Sequence, residues 1–390
     1  MLLTLGLAVA MVATLGNQSS FLEQVSNALK NEPLQAESLI RHKFKAEDLV
    51  TGIAPYKEGV KVLFAVEAGP GQHRGSVGGD NLPESTLTQI GSLLVSTTTL
   101  RPGQGTTVNY IVDGKAVGKT HNLEVYLPNS TCDTPPGGRK GELRDMGEWK
   151  STIFPNTTRK WFVYLPPGFD TNHAYPVLIG TDAQWDRQWQ ANALENCARE
   201  GLIPPTVGIF IEPGQDKPGT YAFRSHEYDR LSGDYSKFLL TEIFPEVQKI
   251  VKLSPDPHQR ACVGVSSGGI CGFTSCWQHP ESFGVVISSV GSFDNIAHGD
   301  SLMEGGHNYP FLIRLTDPKP IRAFLQDGTH DLDNQFGNWF LGNSQMAAAL
   351  KFKGYDAQWH PGEGFHSSDH LRNIFDKALV WWNGLKVVHF

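Results

Sequence analysis

The chain has 390 residues, a formal charge of −7 and a pI near 6.1. Its length favours two domains over one growing core, and 39% apolar with 19% charged residues describe a folded chain, not a disordered one. The acidic balance and the absence of a long Lys/Arg run exclude a general nucleic-acid surface, which needs clustered cations.

Residues 1–15 (MLLTLGLAVAMVATL) carry no charged side chain. The run suits the apolar region of a secretory signal and is too short to cross a bilayer. Residues 1–16 are therefore expected to be a signal peptide and the protein periplasmic or secreted, or cytoplasmic if the run is not a signal. No membrane span is expected. Residues 17–55 read as a helical arm: 21–29 and 34–49 have helical apolar spacing, interrupted by Pro33, with Phe21, Val25, Ala28 and Leu29 on one face.

The texture changes over residues 56–130. Runs 60–66, 106–112 and 123–126 are β-branched and aromatic, separated by turn signals such as Pro102-Gly103 and Asp113-Gly114, so a small β-sandwich is expected. Residues 131–151, rich in Pro, Gly and charge, read as a linker. From 152 to 386 the pattern repeats strand, loop, helix. Strands are expected at 160–165, 176–180, 206–211, 260–265, 284–289, 322–325 and 356–360, and helices at 189–200, 235–250, 268–277, 338–353 and 368–385. Apolar strands alternating with amphipathic segments imply an α/β fold, a mostly parallel sheet covered on both faces.

Within that region the strongest local signal is Gly264-Val265-Ser266-Ser267-Gly268. Gly-x-Ser-x-Gly after an apolar strand and at the start of a helix is the context of a nucleophile elbow, which presents the serine hydroxyl above the sheet. The helix start beneath it offers the Ser267 N–H for an oxyanion. The partners should follow in the order acid, then His. After strand 322–325 come Asp327, Asp331 and Asp333; Asp331 is preferred as orienting acid, with the other two as rivals. After strand 356–360 comes Gly364-Phe365-His366, and His366 is preferred over His370 as base. The second oxyanion donor is expected from the loop after 176–180, the backbone N–H of Asp182 or Ala183. Trp185, Trp189, Trp339 and Trp359 could wall an aromatic acyl site or simply pack. Arg224 and Glu227 could bind substrate, with a mutual loop-holding ion pair slightly favoured.

The five cysteines are odd in number; Cys197, Cys262 and Cys271 sit among apolar neighbours and read as small buried hydrophobes. No Cys or His spacing fits a structural zinc, so neither metal nor organic cofactor is expected.

These pieces together resemble the enterochelin esterase family, the iron-siderophore esterase group of esterase-D-like hydrolases, over roughly residues 150–385. The matching segments are Arg224-Ser-x-Glu227-Tyr228-Asp229, Phe238-Leu239-x-x-Glu242-Ile243-x-Pro245, Gly264-Val-Ser-Ser-Gly-Gly269 and Asp327-Gly-x-x-Asp331-Leu-Asp-Asn334. Gly364-Phe-His366 departs from the family's Gly-Gly-His by one Phe. The resemblance implies an α/β-hydrolase preceded by a sandwich of the early-set immunoglobulin kind, with Ser266 as nucleophile, His366 as base and Asp331 as orienter. The expected activity is hydrolysis of a small-molecule or oligomeric ester through an acyl-enzyme. A feruloyl or polyester-directed esterase, an acyltransferase on the same scaffold, and an inert binding protein are the alternatives; oligomeric state is not set by the sequence.

Overall fold

The computed structural model describes residues 19–217, 219–220, 223–297 and 305–384. The expected leader at 1–16 lies outside them. The chain divides into two compact units.

The first unit takes in the chain up to residue 79 with 83–99 and 108–121. Its helices are α1 (Phe21–Asn31), α2 (Pro33–Lys43) and α3 (Ala46–Thr51). A capping box starts α1, where the Ser20 side chain accepts from the Glu23 N–H and Glu23 reaches back. Pro33 stands in the first turn of α2, where a missing N–H breaks no helical bond. Seven strands follow: β1 (Tyr56–Glu58), β2 (Lys61–Glu67), β3 (Gly75–Gly79), β4 (Leu82–Ile90), β5 (Leu93–Thr99), β6 (Gly105–Val112) and β7 (Lys115–Glu124). They form a sheet of order β1-β2-β5-β4-β3-β6-β7 with antiparallel pairings. Leu22, Val25, Ala36 and Ile40 of the helices share one core with Leu63, Ala65 and Val95 of the strands. The helical arm is thus the second layer over these strands and part of the same unit.

The second unit comprises residues 80–82, 100–107 and 122 onward, so it takes in chain well before residue 152. Its strands are β8 (Glu142–Lys150), β9 (Thr158–Leu165), β10 (Ala174–Tyr175), β11 (Val177–Gly180), β12 (Val207–Ile211), β13 (Lys252–Leu253), β14 (Arg260–Val265), β15 (Val285–Ser289), β16 (Arg322–Gly328), β17 (Asp333–Asn334), β18 (Gly337–Asn338) and β19 (Ala357–Gly362). Its helices are α4 (Ala183–Arg199), α5 (Arg224–Tyr228), α6 (Asp234–Phe238), α7 (Phe244–Val247), α8 (Ser267–Gln278), α9 (Tyr309–Leu315), α10 (Trp339–Phe352) and α11 (Asp369–Trp382).

The main sheet has eight strands in the order β19-β16-β15-β14-β11-β12-β9-β8. Pairings from β19 through β12 are parallel, and β9 and β8 close that end antiparallel. Alternate residues feed two cores. Val177 and Ile179 join Ile270 and Phe273 of α8 on one side, while Leu178 joins Trp189 and Leu194 of α4 with Phe375 and Leu379 of α11 on the other.

Two segments depart from expectation. Residues 142–150, expected in the linker 131–151, form edge strand β8, paired with β9 and shifted in register between Asp145 and Glu148. Its charges decorate an exposed edge, where they discourage pairing with another chain. The helix expected over 235–250 breaks into α6, a π-helical turn at Leu239–Ile243, and α7. Glu242 in that turn accepts from Trp149 Nε1, both Thr152 donors and the Ile153 N–H at 2.5–3.0 Å, and Pro245 cannot donate to a regular helix.

One buried ion pair ties α5 to the sheet. Arg159 of β9 meets Glu227 with both carboxylate contacts at 2.8–2.9 Å, and both side chains are fully buried. The Thr157 hydroxyl and the Gly214 N–H complete the arrangement. Removing one partner strands the other charge in a low-dielectric interior. Glu227→Ala is expected to destabilise the protein by about 3–5 kcal/mol, read as a lowered urea midpoint; an unchanged midpoint would deny the pair any such role.

Candidate active site

Strand β14 ends at the residue before Ser266, whose backbone is forced to φ 61° and ψ −125° before α8 begins. Such a conformation costs roughly 1–3 kcal/mol for a non-glycine residue and persists only where its surroundings impose it. They do so here: the Ser266 N–H donates to Ser289 O at 2.9 Å, and its carbonyl accepts from Gly269 and Ser292 at 2.9 and 3.1 Å. The two flanking glycines are required by space. A Cβ at Gly264 would lie 2.2 Å from the Gly268 backbone, and one at Gly268 would lie 2.2 Å from Thr181 Oγ1.

The loop after β19 brings His366 to this turn. Its Nε2 lies 2.8 Å from Ser266 Oγ and its Nδ1 lies 2.5 Å from Asp331 Oδ1. An ionised carboxylate only accepts, so beside one the ring carries its proton on Nδ1 and leaves Nε2 to accept a hydrogen bond from the Ser266 hydroxyl. The Asp331 side chain is wholly buried, and its Oδ1 also accepts the Leu332 N–H at 2.6 Å. The rivals stand elsewhere. Asp327 is buried at the end of β16, accepting from Gly328 N–H and Asn343 Nδ2 at 2.6 and 2.7 Å, while Asp333 is exposed in β17. His370 opens α11, bonded to Gln326 at 2.9 Å and stacked on Tyr126, and burial pushes it down to about 4. Of the four tryptophans, Trp339 packs edge-on against the His366 ring, Trp185 is 60% exposed, and Trp189 and Trp359 pack against Phe375 and Phe340.

Ser267 is the buried first residue of α8 and Ala183 the buried first residue of α4. N–H groups of a first helical turn have no acceptor within the helix. Asp182, in left-handed geometry at φ 53°, gives its carboxylate to Arg224 in two bonds of 2.7 and 2.8 Å, and Arg224 also donates to Val265 O at 3.2 Å. Arg224 therefore ties the loop after β11 to the elbow. The expected Arg224–Glu227 pair is corrected: each residue answers a different buried opposite charge, Asp182 and Arg159. Asp229 sits below this network, facing Arg224 and the Ser267 and Ser225 hydroxyls, and burial pushes it up to about 7.

Sequence reasoning missed the residues that hold the His366 loop. From within the unit, Thr329 and His330 N–H groups donate to Gly362 O and Gly364 O, and His330 Nδ1 meets Glu363 O at 2.7 Å. His330 Nε2 lies 3.0 Å from Asp80, and Arg101 bonds Glu363 at 2.6 Å. Glu124 accepts the Ser367 and Tyr126 hydroxyls. Glu124 and Tyr126 read in sequence only as part of a strand run, and nothing local marks Asp80 or Arg101. Among the described residues, no helix is long and apolar enough to cross a membrane, and no group of His, Cys, Asp or Glu is arranged to hold a metal ion.

Fold and contacts define an α/β-hydrolase-type protein in which a serine, an imidazole and a buried carboxylate touch in succession. The Esterase family matches residues 151–380, more than half of the chain, and the chain belongs to that family. An iron(III) enterobactin esterase of Dickeya dadantii is 25% identical over 278 residues, 66% of this chain and 56% of that protein. YbbA of Bacillus subtilis, an uncharacterized protein, is 25% identical over 143 residues, 35% of this chain and 57% of its own. The chain thus matches a little over half the length of these relatives. The enterobactin esterase of Shigella flexneri, crystallised with 2,3-dihydroxy-N-benzoyl-serine, shares the fold with a TM-score of 0.60 at 16% identity, covering 86% of this chain and 97% of that one.

The carboxyl behind Asp331 generates a pH prediction. Burial first, then a hydrogen bond to Asp331 and its charge, push Asp327 up to about 10. The unfolded chain releases that proton near pH 4, so folding takes up a proton between those values. The stability contributed by this residue is complete below pH 4 and lost as pH rises toward 10. Asp327→Asn, neutral throughout, is expected to flatten the fall in melting temperature between pH 5 and 9; an unchanged slope would mean that Asp327 is ionised in the fold.

Proposed function

We propose that this protein hydrolyses carboxylic esters through an acyl-enzyme on Ser266. The observation that carries the reading is the continuous contact Ser266 Oγ–His366 Nε2–His366 Nδ1–Asp331, at 2.8 and 2.5 Å. As Ser266 Oγ bonds to the ester carbonyl carbon, its proton passes to His366 Nε2 and the carbonyl electron pair moves onto oxygen. The Ser267 N–H, with that of Asp182 or Ala183, is the donor set for this oxyanion. Collapse of the intermediate expels the alcohol, which takes the proton from His366. Water then gives its proton to the same nitrogen, attacks the acyl-enzyme and releases the acid, and Ser266 recovers its proton. Asp331 stays ionised and stabilises the imidazolium between steps.

Esters bearing an aromatic group are the favoured substrate class. Trp185 stands 60% exposed in the first turn of α4, directly after the loop that follows β11. The enterobactin esterase relative, and an endo-1,4-beta-xylanase/feruloyl esterase of Xylanibacter ruminicola 24% identical over 237 residues, support the class by name. Arg224 is committed to Asp182 and is not counted as an anion-binding group. The apolar run at 1–16 supports an exported protein, and the antiparallel sheet of β1 to β7 supports a small sandwich-like module.

Ser266→Ala is expected to lower turnover of p-nitrophenyl butyrate by about 10⁴-fold or more, with the circular dichroism spectrum unchanged. Turnover near that of the unmodified protein would remove Ser266 from the chemistry.

A further inference from the structure

The loop after β15 brings a second hydroxyl to Ser266. Ser292 is fully buried, and its Oγ lies 3.3 Å from Ser266 Oγ and 3.1 Å from Nε1 of Trp339, itself buried. The Ser292 N–H also donates to the Ser266 carbonyl at 3.1 Å, so backbone and side chain are placed together.

The direction of each bond follows by elimination. An indole N–H only donates, so Ser292 oxygen accepts from Trp339. Ser266 has one proton, and it points to His366 Nε2, which is bare because Nδ1–H faces Asp331. If Ser266 instead gave its proton to Ser292, two lone pairs would confront each other across 2.8 Å at Nε2. The contact between the hydroxyls is therefore a hydrogen bond only with Ser292 as donor.

We infer that Ser292 is a further catalytic residue, its O–H aimed at Ser266 Oγ and held in that direction by the Trp339 indole; this rests on Ser266 being the nucleophile. In the resting enzyme 3.3 Å is long for a hydroxyl pair, so the bond has room to strengthen. As the Ser266 proton moves to His366 and the Oγ–carbon bond forms, negative charge passes through Oγ and the Ser292 proton meets it. In the acyl-enzyme Oγ is an ester oxygen and a poor acceptor. When water has added and the carbon–Oγ bond breaks, the electron pair returns to Oγ, which takes its proton back from His366, and the Ser292 donor acts again. A donor stronger in the transition states than in the ground state raises kcat and leaves substrate affinity alone.

The experiment is steady-state kinetics on p-nitrophenyl butyrate, with fluorophosphonate labelling rates, for Ser292→Ala, Trp339→Phe and Ser266→Ala. Ser292→Ala is expected to lower kcat about tenfold or more while KM stays within about twofold, and its labelling rate falls in step. Trp339→Phe keeps the ring but loses the N–H, and is expected to lower kcat by a smaller factor. Wild-type kcat in Ser292→Ala, or a loss confined to KM, overturns the assignment while a silent Ser266→Ala leaves the nucleophile standing. An active Ser266→Ala overturns the nucleophile reading itself.

Discussion

The site is organised by a single backbone constraint, the positive φ at Ser266. A serine there costs free energy that the surrounding structure must supply, and the suppliers are identifiable. Ser289 and Ser292 hold the peptide from β15, Thr181 closes over the glycines from the end of β11, and Arg224 grips the carbonyl of Val265. The two strands that flank β14 and the helix α5 thus converge on one residue. Ser292 also meets the hydroxyl itself, its Oγ lying 3.3 Å from Ser266 Oγ. The turn and the groups around it are one assembly, so loosening the turn would displace Ser292 as well as Ser266.

Charge behind the imidazole is controlled by burial. Asp331 is flanked by two further carboxyls, Asp327 and Asp294; burial, reinforced by the charge of Asp331, pushes Asp294 up to about 7 as it pushes Asp327 higher. Were all three ionised, three negative charges would crowd one buried place beside the imidazole. Keeping Asp327 neutral removes one of the two competing charges beside the carboxylate that touches Nδ1. Near the elbow Arg224 neutralises Asp182 in a bidentate pair, and burial pushes Asp229 up to about 7.

What could be read from the sequence was whatever is local. Gly264-x-Ser266-x-Gly268 encodes a strand-to-helix turn within five residues, and the apolar strands of a parallel sheet announce themselves by continuous burial. The structure brings Ser266, Asp331 and His366 together in the order the motif implies. Choosing among Asp327, Asp331 and Asp333 was harder, because the three lie within seven residues and only the path of the chain after β16 decides which carboxylate faces the ring. Pairings between distant positions were illegible: Arg224 finds Asp182 and Arg159 finds Glu227 because each buried charge needs an opposite one. Strand β8 was hidden for a related reason. An edge strand need bury little, so its alternation of charges looks like solvated linker.

The departure from Gly-Gly-His at Phe365 shows how this chain fixes the loop that carries His366. Residue 365 does not occupy the positive-φ region, so a side chain is sterically allowed there. A glycine would leave the loop more conformations to lose on ordering, whereas Phe365 stacks on His330 at 5.1 Å between ring centroids. His330 is itself immobilised, bonded through one nitrogen to Glu363 O and through the other to Asp80. Asp80 is held as an anion, pushed down to about 2 by hydrogen bonds from Thr106, Thr107 and Asn81 that outweigh its burial. The 2.8 Å contact between His366 and Ser266 thus depends on a carboxylate more than 280 positions earlier in the chain. Contacts of this kind join residues 80–82 and 100–107 to the unit that holds the site, so the groups that place this imidazole do not all lie after residue 152.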